Sequence, residues 1–257
     1  GHSHTLMLNP VSINNVLIVQ TGAYAAYLGR IDITIKNGKI IEKKSLPVKV
    51  DTIKGEIPEI RKKIDEYNNN PHLNRVFAVL PGALEGKPLL GNLVTDAVRE
   101  IHHLDIAFHN EGGTRSHRLD KEIRLKDIYT LLPFGNDIVQ LAMTPAEIRS
   151  LIRYDFERHN RPDLFVSGIT YTIKHTAERQ VKDIEIRDRH GNLLDENRIY
   201  QVGMNDYIMS SYNFVHRDPG KSLNSKVEDS LIEYVKRGPD IIRRIDIARI
   251  RTEVAND

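Results

Sequence analysis

The chain has 257 residues, 40% of them hydrophobic, enough for a sizeable buried core, and no cysteine, which excludes disulfides and a thiol nucleophile. Formal net charge is +2, but the first fifty residues hold 6 Lys/Arg against 2 Asp/Glu, leaving 31 against 33, or −2, for the rest. The basicity is therefore local, and a nucleic-acid-binding face is not indicated; nor is a transmembrane run, signal peptide or lipidation motif visible.

In chain order, Val16 to Gln20 and Leu28 to Ile35 read as strands, with Asn37-Gly38 as a two-residue hairpin signal because both positions tolerate positive φ. Residues 56–69 place Ile57, Ile60, Ile64 and Tyr67 on one face at helical spacing, and Asn70-Pro71 stops that helix. Strands at Val76 to Leu80, Asp105 to Phe108 and Ile138 to Met143 then alternate with helices at Leu93 to Ile101 and Leu125 to Leu132. Thr144-Pro145-Ala146-Glu147 is a capping box with Pro at the first helical position, opening a helix to about Arg158. Strands follow at Ile169 to Lys174, Val181 to Arg187 and Ile199 to Val202, with Gly191-Asn192 as a turn, and a last helix runs from Val227 to Arg237 before Gly238-Pro239. These elements predict an α+β (mixed α/β) fold: a β-hairpin appendage over 1–50, a helical linker over 51–71 and a main domain over 72–257.

The densest chemistry lies in Asn110-Glu111-Gly112-Gly113-Thr114-Arg115 and Phe134-Gly135-Asn136. A Gly pair permits positive φ and close backbone approach to a ligand, Arg forks onto phosphate or carboxylate, and an exposed Phe can stack. The same residues also fit a tight strand-to-helix loop with a solvated Arg115, a core Phe134 behind Pro133 and a buried Tyr207.

Other motifs exclude themselves. Gly82 to Pro88 is not a phosphate-binding loop, because its glycines are one residue too close and Pro88 stands where a Ser or Thr must bind metal. No Gly-x-Ser-x-Gly elbow or His-Glu-x-x-His helix occurs. Asp188-Arg189-His190 reads as a solvated hairpin tip, and His102-His103 as complements to a helix C-terminus.

Taken together, Gly91-Asn92-Leu93-Val94-Thr95-Asp96-Ala97, Asn110 to Arg115, Leu132 to Asn136 and Asn205-Asp206-Tyr207 resemble, in order and spacing, the C-terminal domain of the 5'-nucleotidase / UDP-sugar hydrolase family. Gly1 to Thr5 resembles the last metal-ligand motif of the metallophosphatase domain that precedes it. The resemblance implies that residues 1–50 end that domain, that Phe134 and Tyr207 sandwich a base, that Asn136 meets the base edge and that Asn110 and Arg115 contact the nucleotide. It further implies that His2 and His4 ligate divalent Zn or Mn only when the metallophosphatase domain is supplied, in cis or in trans. The other dimetal ligands lie upstream of Gly1 in the family, so no catalytic residue is expected in this chain. The implied partner is a nucleotide or nucleoside and the implied setting is periplasmic or cell-surface. A non-enzymatic module binding nucleotide or sugar nucleotide is the alternative.

Two departures bear on the site. Leu84 stands where many relatives carry an Arg, with Lys87 the nearest substitute, and Asn213 stands where the family has a ribose-binding Asp. Tyr212 and Phe214 replace flexible glycines and could occupy the pocket. The hairpin edges at Val16 to Gln20 and Leu28 to Ile35, if unpaired, are expected to drive dimerisation or aggregation.

Overall fold

A computed structural model describes residues 2–238, 245 and 248–255, and the chain divides into two compact units, 1–69 and 70–257. In the first unit, β1 (Val11–Ile13) and β2 (Val16–Ile18) form a short hairpin, and β3 (Tyr27–Lys36) pairs antiparallel with β4 (Lys39–Lys49). Asn37 and Gly38 both take positive φ, 51° and 72°, as a primed turn requires. Helix α1 (Pro58–Asn68) follows a 3-10 turn at Val50–Thr52 and has no buried residue; its stripe Ile60, Ile64 and Tyr67, with Ile57 just before it, is exposed.

The second unit opens on a short helix, α2 (Pro71–Asn74), capped by Asn70, whose Oδ1 accepts from the backbone N–H of His72 at 2.9 Å. Next come β5 (Val76–Val79), β6 (Leu84–Glu85), α3 (Lys87–Ile101) and β7 (Ile106–Asn110). Strands β8 (Arg118–Leu119) and β9 (Glu122–Arg124) pair with β6 and β5, and α4 (Leu125–Leu131) leads to β10 (Asp137–Met143) and α5 (Pro145–His159). The chain continues through β11 (Leu164–Ser167), β12 (Ile169–His175), β13 (Val181–Asp188), β14 (Tyr200–Asn205), α6 (Asp206–Ser211), β15 (Lys221–Lys226), α7 (Val227–Val235) and β16 (Ile250–Val254).

A five-stranded mixed sheet, ordered β11-β7-β14-β10-β15, is the centre. Strand alternation sends Ile106, Phe108, Leu141, Val202 and Met204 to one face, where they pack with α5 and with the sheet β13-β12-β16. Ala107 and Ile138 face the other way, into a second core with α3, α4 and α7. The unit is thus a mixed sheet covered on both faces.

Several boundaries differ from the sequence reading. Helix α3 begins at Lys87 rather than Leu93, because Gly86, at φ 94°, turns the chain and Pro88 fits the first helical turn, where no N–H is needed. Gly91 then lets α3 settle on β11; a Cβ there would lie 2.0 Å from the Phe165 ring. Strand β14 spans Tyr200–Asn205 rather than 199–202, α7 stops at Val235, and Pro239 lies outside the described residues. Strands β11, β15 and β16, and helix α6, were not among the elements expected from the sequence. His102 is a different kind of helix cap from the one expected. Burial lowers its pKa, and its Nε2 sits 2.9 Å from Ser230 Oγ, so it is anchored to α7 as a neutral ring rather than offered as a cation to the helix end.

Candidate functional site

Asn110 closes β7, an inner strand between β11 and β14, and is buried, and the 3-10 turn Glu111–Gly113 carries the chain out to Arg115. Neither Gly112 nor Gly113 adopts positive φ, contrary to expectation. Gly113 is needed for space instead, since a Cβ would meet His109 Nε2 at 2.6 Å and Asn110 Oδ1 at 3.1 Å. The backbone N–H of Arg115 donates to Leu131 O at 2.8 Å, which brings the loop to the end of α4, and its guanidinium carbon sits 5.7 Å from the centre of the Phe134 ring.

Phe134 itself is 57% exposed, on a turn where Gly135 has φ 62°. Two residues on, Asn136 Nδ2 donates to Asp206 Oδ1 at 2.5 Å, joining that turn to α6, which carries Tyr207 at 42% exposure. Asn205 caps the same helix, its Oδ1 accepting from Ile208 N–H at 2.9 Å, while its Nδ2 lies 2.9 Å from Asn110 Oδ1 and 3.1 Å from His109 Nδ1. The fold therefore links Asn110, Arg115, Phe134, Asn136 and Tyr207 through direct contacts of these residues or their immediate neighbours. Both aromatics are exposed, which sets aside the core reading of each.

Asn213 stands apart from this network. It is exposed, while its neighbours Tyr212 and Phe214 are buried. Tyr212 packs its ring 6.3 Å from Tyr207 and 5.5 Å from Tyr154, with Arg158 over it at 5.3 Å, and burial raises its phenol pKa. Tyr212 thus packs against Tyr207, while Phe214 is buried with its ring 4.8 Å from that of His216.

Leu84 is buried in β6, so that position offers no cation. Lys87, at the start of α3, reaches Glu111 of the loop, with Nζ 3.8 Å from Oε1; Arg161 binds the same carboxylate. His109 was not anticipated. It is 2% exposed, and burial lowers its pKa to about 4 against a weaker upward pull from the Gly113 backbone, which stands outside hydrogen-bonding geometry. The usable signal for Asn205 was an Asn at a strand-to-helix junction, where a side-chain oxygen caps the helix.

His2 and His4 are exposed; His4 has φ 55° and packs edge-on to Tyr24. Among the described residues, the grouping of three metal-capable side chains is Asp155, His159 and Asp163, and it includes neither. Two imidazoles alone do not make a dimetal centre. In the second unit a cleft of about 450 Å³ surrounds the buried Asp96–Arg249 ion pair, and none of the six expected binding residues lines it. Asp188 accepts from the backbone of His190 and Asn192, as a hairpin tip does.

A family profile described as "5'-nucleotidase, C-terminal domain" matches residues 74–214. The whole chain superposes on a 5'-nucleotidase precursor from Thermus thermophilus with a TM-score of 0.75 at 21% identity, covering 59% of that chain, which shows a shared fold. It is 28% identical over 274 residues to Endonuclease YhcR of Bacillus subtilis, and 23% identical over 263 residues to the snake venom 5'-nucleotidase of Naja atra. The chain spans 22% and 49% of those two proteins and is matched over 100% and 86% of its own length. With the family's fold and its four ordered motifs in place, the chain belongs to the 5'-nucleotidase C-terminal domain family.

Proposed function

We propose that residues 72–257 recognise a nucleotide or nucleoside on behalf of a 5'-nucleotidase-type metallophosphohydrolase, which releases phosphate from it. The observation that carries this reading is the pair of exposed rings, Phe134 and Tyr207, on segments tied together by the Asn136–Asp206 hydrogen bond, with Arg115 over one ring. Stacking on an aromatic is worth about 1–3 kcal/mol per base and tolerates any base. Asn136 spends one N–H on Asp206 and keeps its Oδ1 for a base edge, and Asn110 and Arg115 supply donors for oxygens of the ligand. Lys87 stands in for the cation that Leu84 cannot provide, and Asn213 offers a neutral amide to the ribose.

Hydrolysis belongs to the complete enzyme. Residues 1–50 are read as the end of a metallophosphatase domain, residues 51–71 as the linker, and His2 and His4 as ligands that join divalent ions such as Zn or Mn held mainly by residues outside this chain. No step is assigned to this chain's own residues beyond binding and orientation. A periplasmic or cell-surface setting is supported by the kinds of relatives found, among them a cell wall protein of Listeria monocytogenes and the venom enzyme. No described helix is long and apolar enough to cross a membrane.

Calorimetric titration of the chain with adenosine, AMP and UDP-glucose, beside Phe134→Ala, tests the binding reading. Saturable binding that the variant loses supports it; no binding of any of the three refutes it for the isolated chain. Exposed Asn213 in place of a charged group favours a second reading, a module that binds without turnover. A protein carrying the metallophosphatase domain and supplied with Mn²⁺ or Zn²⁺ separates the two by hydrolysing nucleoside phosphates or failing to.

A further inference from the structure

The hydrogen bonds around Asn205 fix the direction of every amide and ring nearby. Ile208 N–H can only donate, so the Asn205 atom 2.9 Å from it is the carbonyl Oδ1 and the other atom is the donor Nδ2. That donor lies 2.9 Å from Asn110 and 3.1 Å from His109 Nδ1, so both of those atoms must accept. Asn110 therefore gives its Oδ1 to Asn205, and its Nδ2 lies on the side of exposed Gly112, 3.4 Å from where a Cβ on that glycine would be. Acceptance at Nδ1 puts the proton of a neutral His109 ring on Nε2, an atom that has no partner among the described residues.

Asn110 Nδ2 makes no hydrogen bond among the described residues, although Asn110 is only 7% exposed. Unlike His109 Nε2, Thr114 Oγ1 and Tyr171 Oη, which are buried without a partner among the described residues, this donor is open to solvent, where a ligand oxygen can take the place of water. We propose that Asn205 is a positioning residue that locks the Asn110 amide with Nδ2 outward, making Asn110 a hydrogen-bond donor to an oxygen of the bound nucleotide. This rests on the nucleotide-site reading above. The same amide caps α6, so a single side chain sets both the polarity of Asn110 and the placement of the Tyr207 helix.

Asn205→Asp separates the two roles. Its carboxylate still accepts from Ile208 N–H and keeps the cap. It can no longer donate to Asn110, which is driven to flip its amide, turning an oxygen toward the ligand's oxygen. The expected result is a rise in the AMP dissociation constant on the order of ten- to a hundredfold; the buried carboxylate also lowers the melting temperature, so titrations are run well below the melt measured for each variant. Phe134→Ala is titrated alongside. If it loses AMP while Asn205→Asp binds normally, the positioning role is overturned and the site reading stands. If Phe134→Ala binds AMP unchanged, the site reading falls and takes the ligand role of Asn110 with it. A readout independent of any variant's folding is the His109 tautomer in the unmodified chain, read from long-range ¹H–¹⁵N NMR couplings. A proton on Nε2 is expected; a proton on Nδ1 would reverse the hydrogen-bond direction and overturn the proposal.

Discussion

Asn136 and Asp206, seventy positions apart in the chain, are joined by a 2.5 Å side-chain hydrogen bond that fixes the Phe134 turn against the Tyr207 helix. On the proposed reading, this tie holds the two exposed rings in place before a ligand arrives and so lowers the ordering cost of binding. Asp206→Ala should weaken nucleotide binding by about 1 kcal/mol through loss of this tie. Calorimetry on the variant checks it, and unchanged affinity would show that the rings are positioned by other contacts.

Phe134→Ala and Tyr207→Ala should each cost about 1–3 kcal/mol of nucleotide affinity. Phe134 is the more exposed ring, so its removal should change stability by less than about 0.5 kcal/mol, and removal of Tyr207, which packs on Tyr212, by about 1 kcal/mol. Thermal melts run beside the titrations distinguish a lost platform from a damaged fold.

If Lys87 meets the phosphate as proposed, Lys87→Ala should weaken AMP by about 1 kcal/mol and leave adenosine unaffected. Equal losses for the two ligands would remove Lys87 from the phosphate side of the site.

Glu147 is buried at the start of α5, which opposes its charge. Hydrogen bonds from the Thr144 backbone and hydroxyl and from Arg217 overcome that and hold its pKa at about 2. Its folded pKa is below the ordinary 4.5, so its stabilising contribution is present above that value and is lost as pH falls from 4.5 toward 2. Glu147→Ala should cost about 2 kcal/mol near neutrality, and urea melts should show the variant and the unmodified chain converging in that acid window.

His109 has the opposite chemistry and a different window. The unfolded ring takes a proton near pH 6.5, while the folded ring resists until about 4, so its burial costs stability as pH falls between those values. Asp155, which burial raises to about 6, works against this trend, so the effect is isolated by comparison with His109→Gln. The variant should lose less stability than the unmodified chain between pH 6.5 and 4. An equal slope would mean that the ring is charged in the folded state.

Asp96 and Arg249 form a buried two-pronged ion pair at 2.7 and 2.9 Å, and Arg249 also donates to Val166 O at 2.8 Å. Asp96→Ala leaves a guanidinium buried without its partner and should cost about 3–5 kcal/mol, measured by chemical denaturation. A loss below about 1 kcal/mol would mean that water reaches the pair.

Some of this protein was written in local sequence. Asn37-Gly38 needs only two residues that accept positive φ, and Thr144-Pro145-Ala146-Glu147 carries its own donors and acceptors, so each specifies its turn or cap without help from the rest of the chain. The order of the four family motifs likewise pointed to the domain's family before any geometry was known. Tertiary structure decided the rest, because the deciding contacts join residues far apart in sequence. Strand β16 is defined by pairing with β12, Gly113 by the ring of His109 beneath it, and the burial of Tyr212 and Phe214 by a core assembled from several elements. Most of all, the direction in which the Asn110 amide faces is set by Asn205, ninety-five residues away, whose own direction follows from a backbone N–H that can only donate.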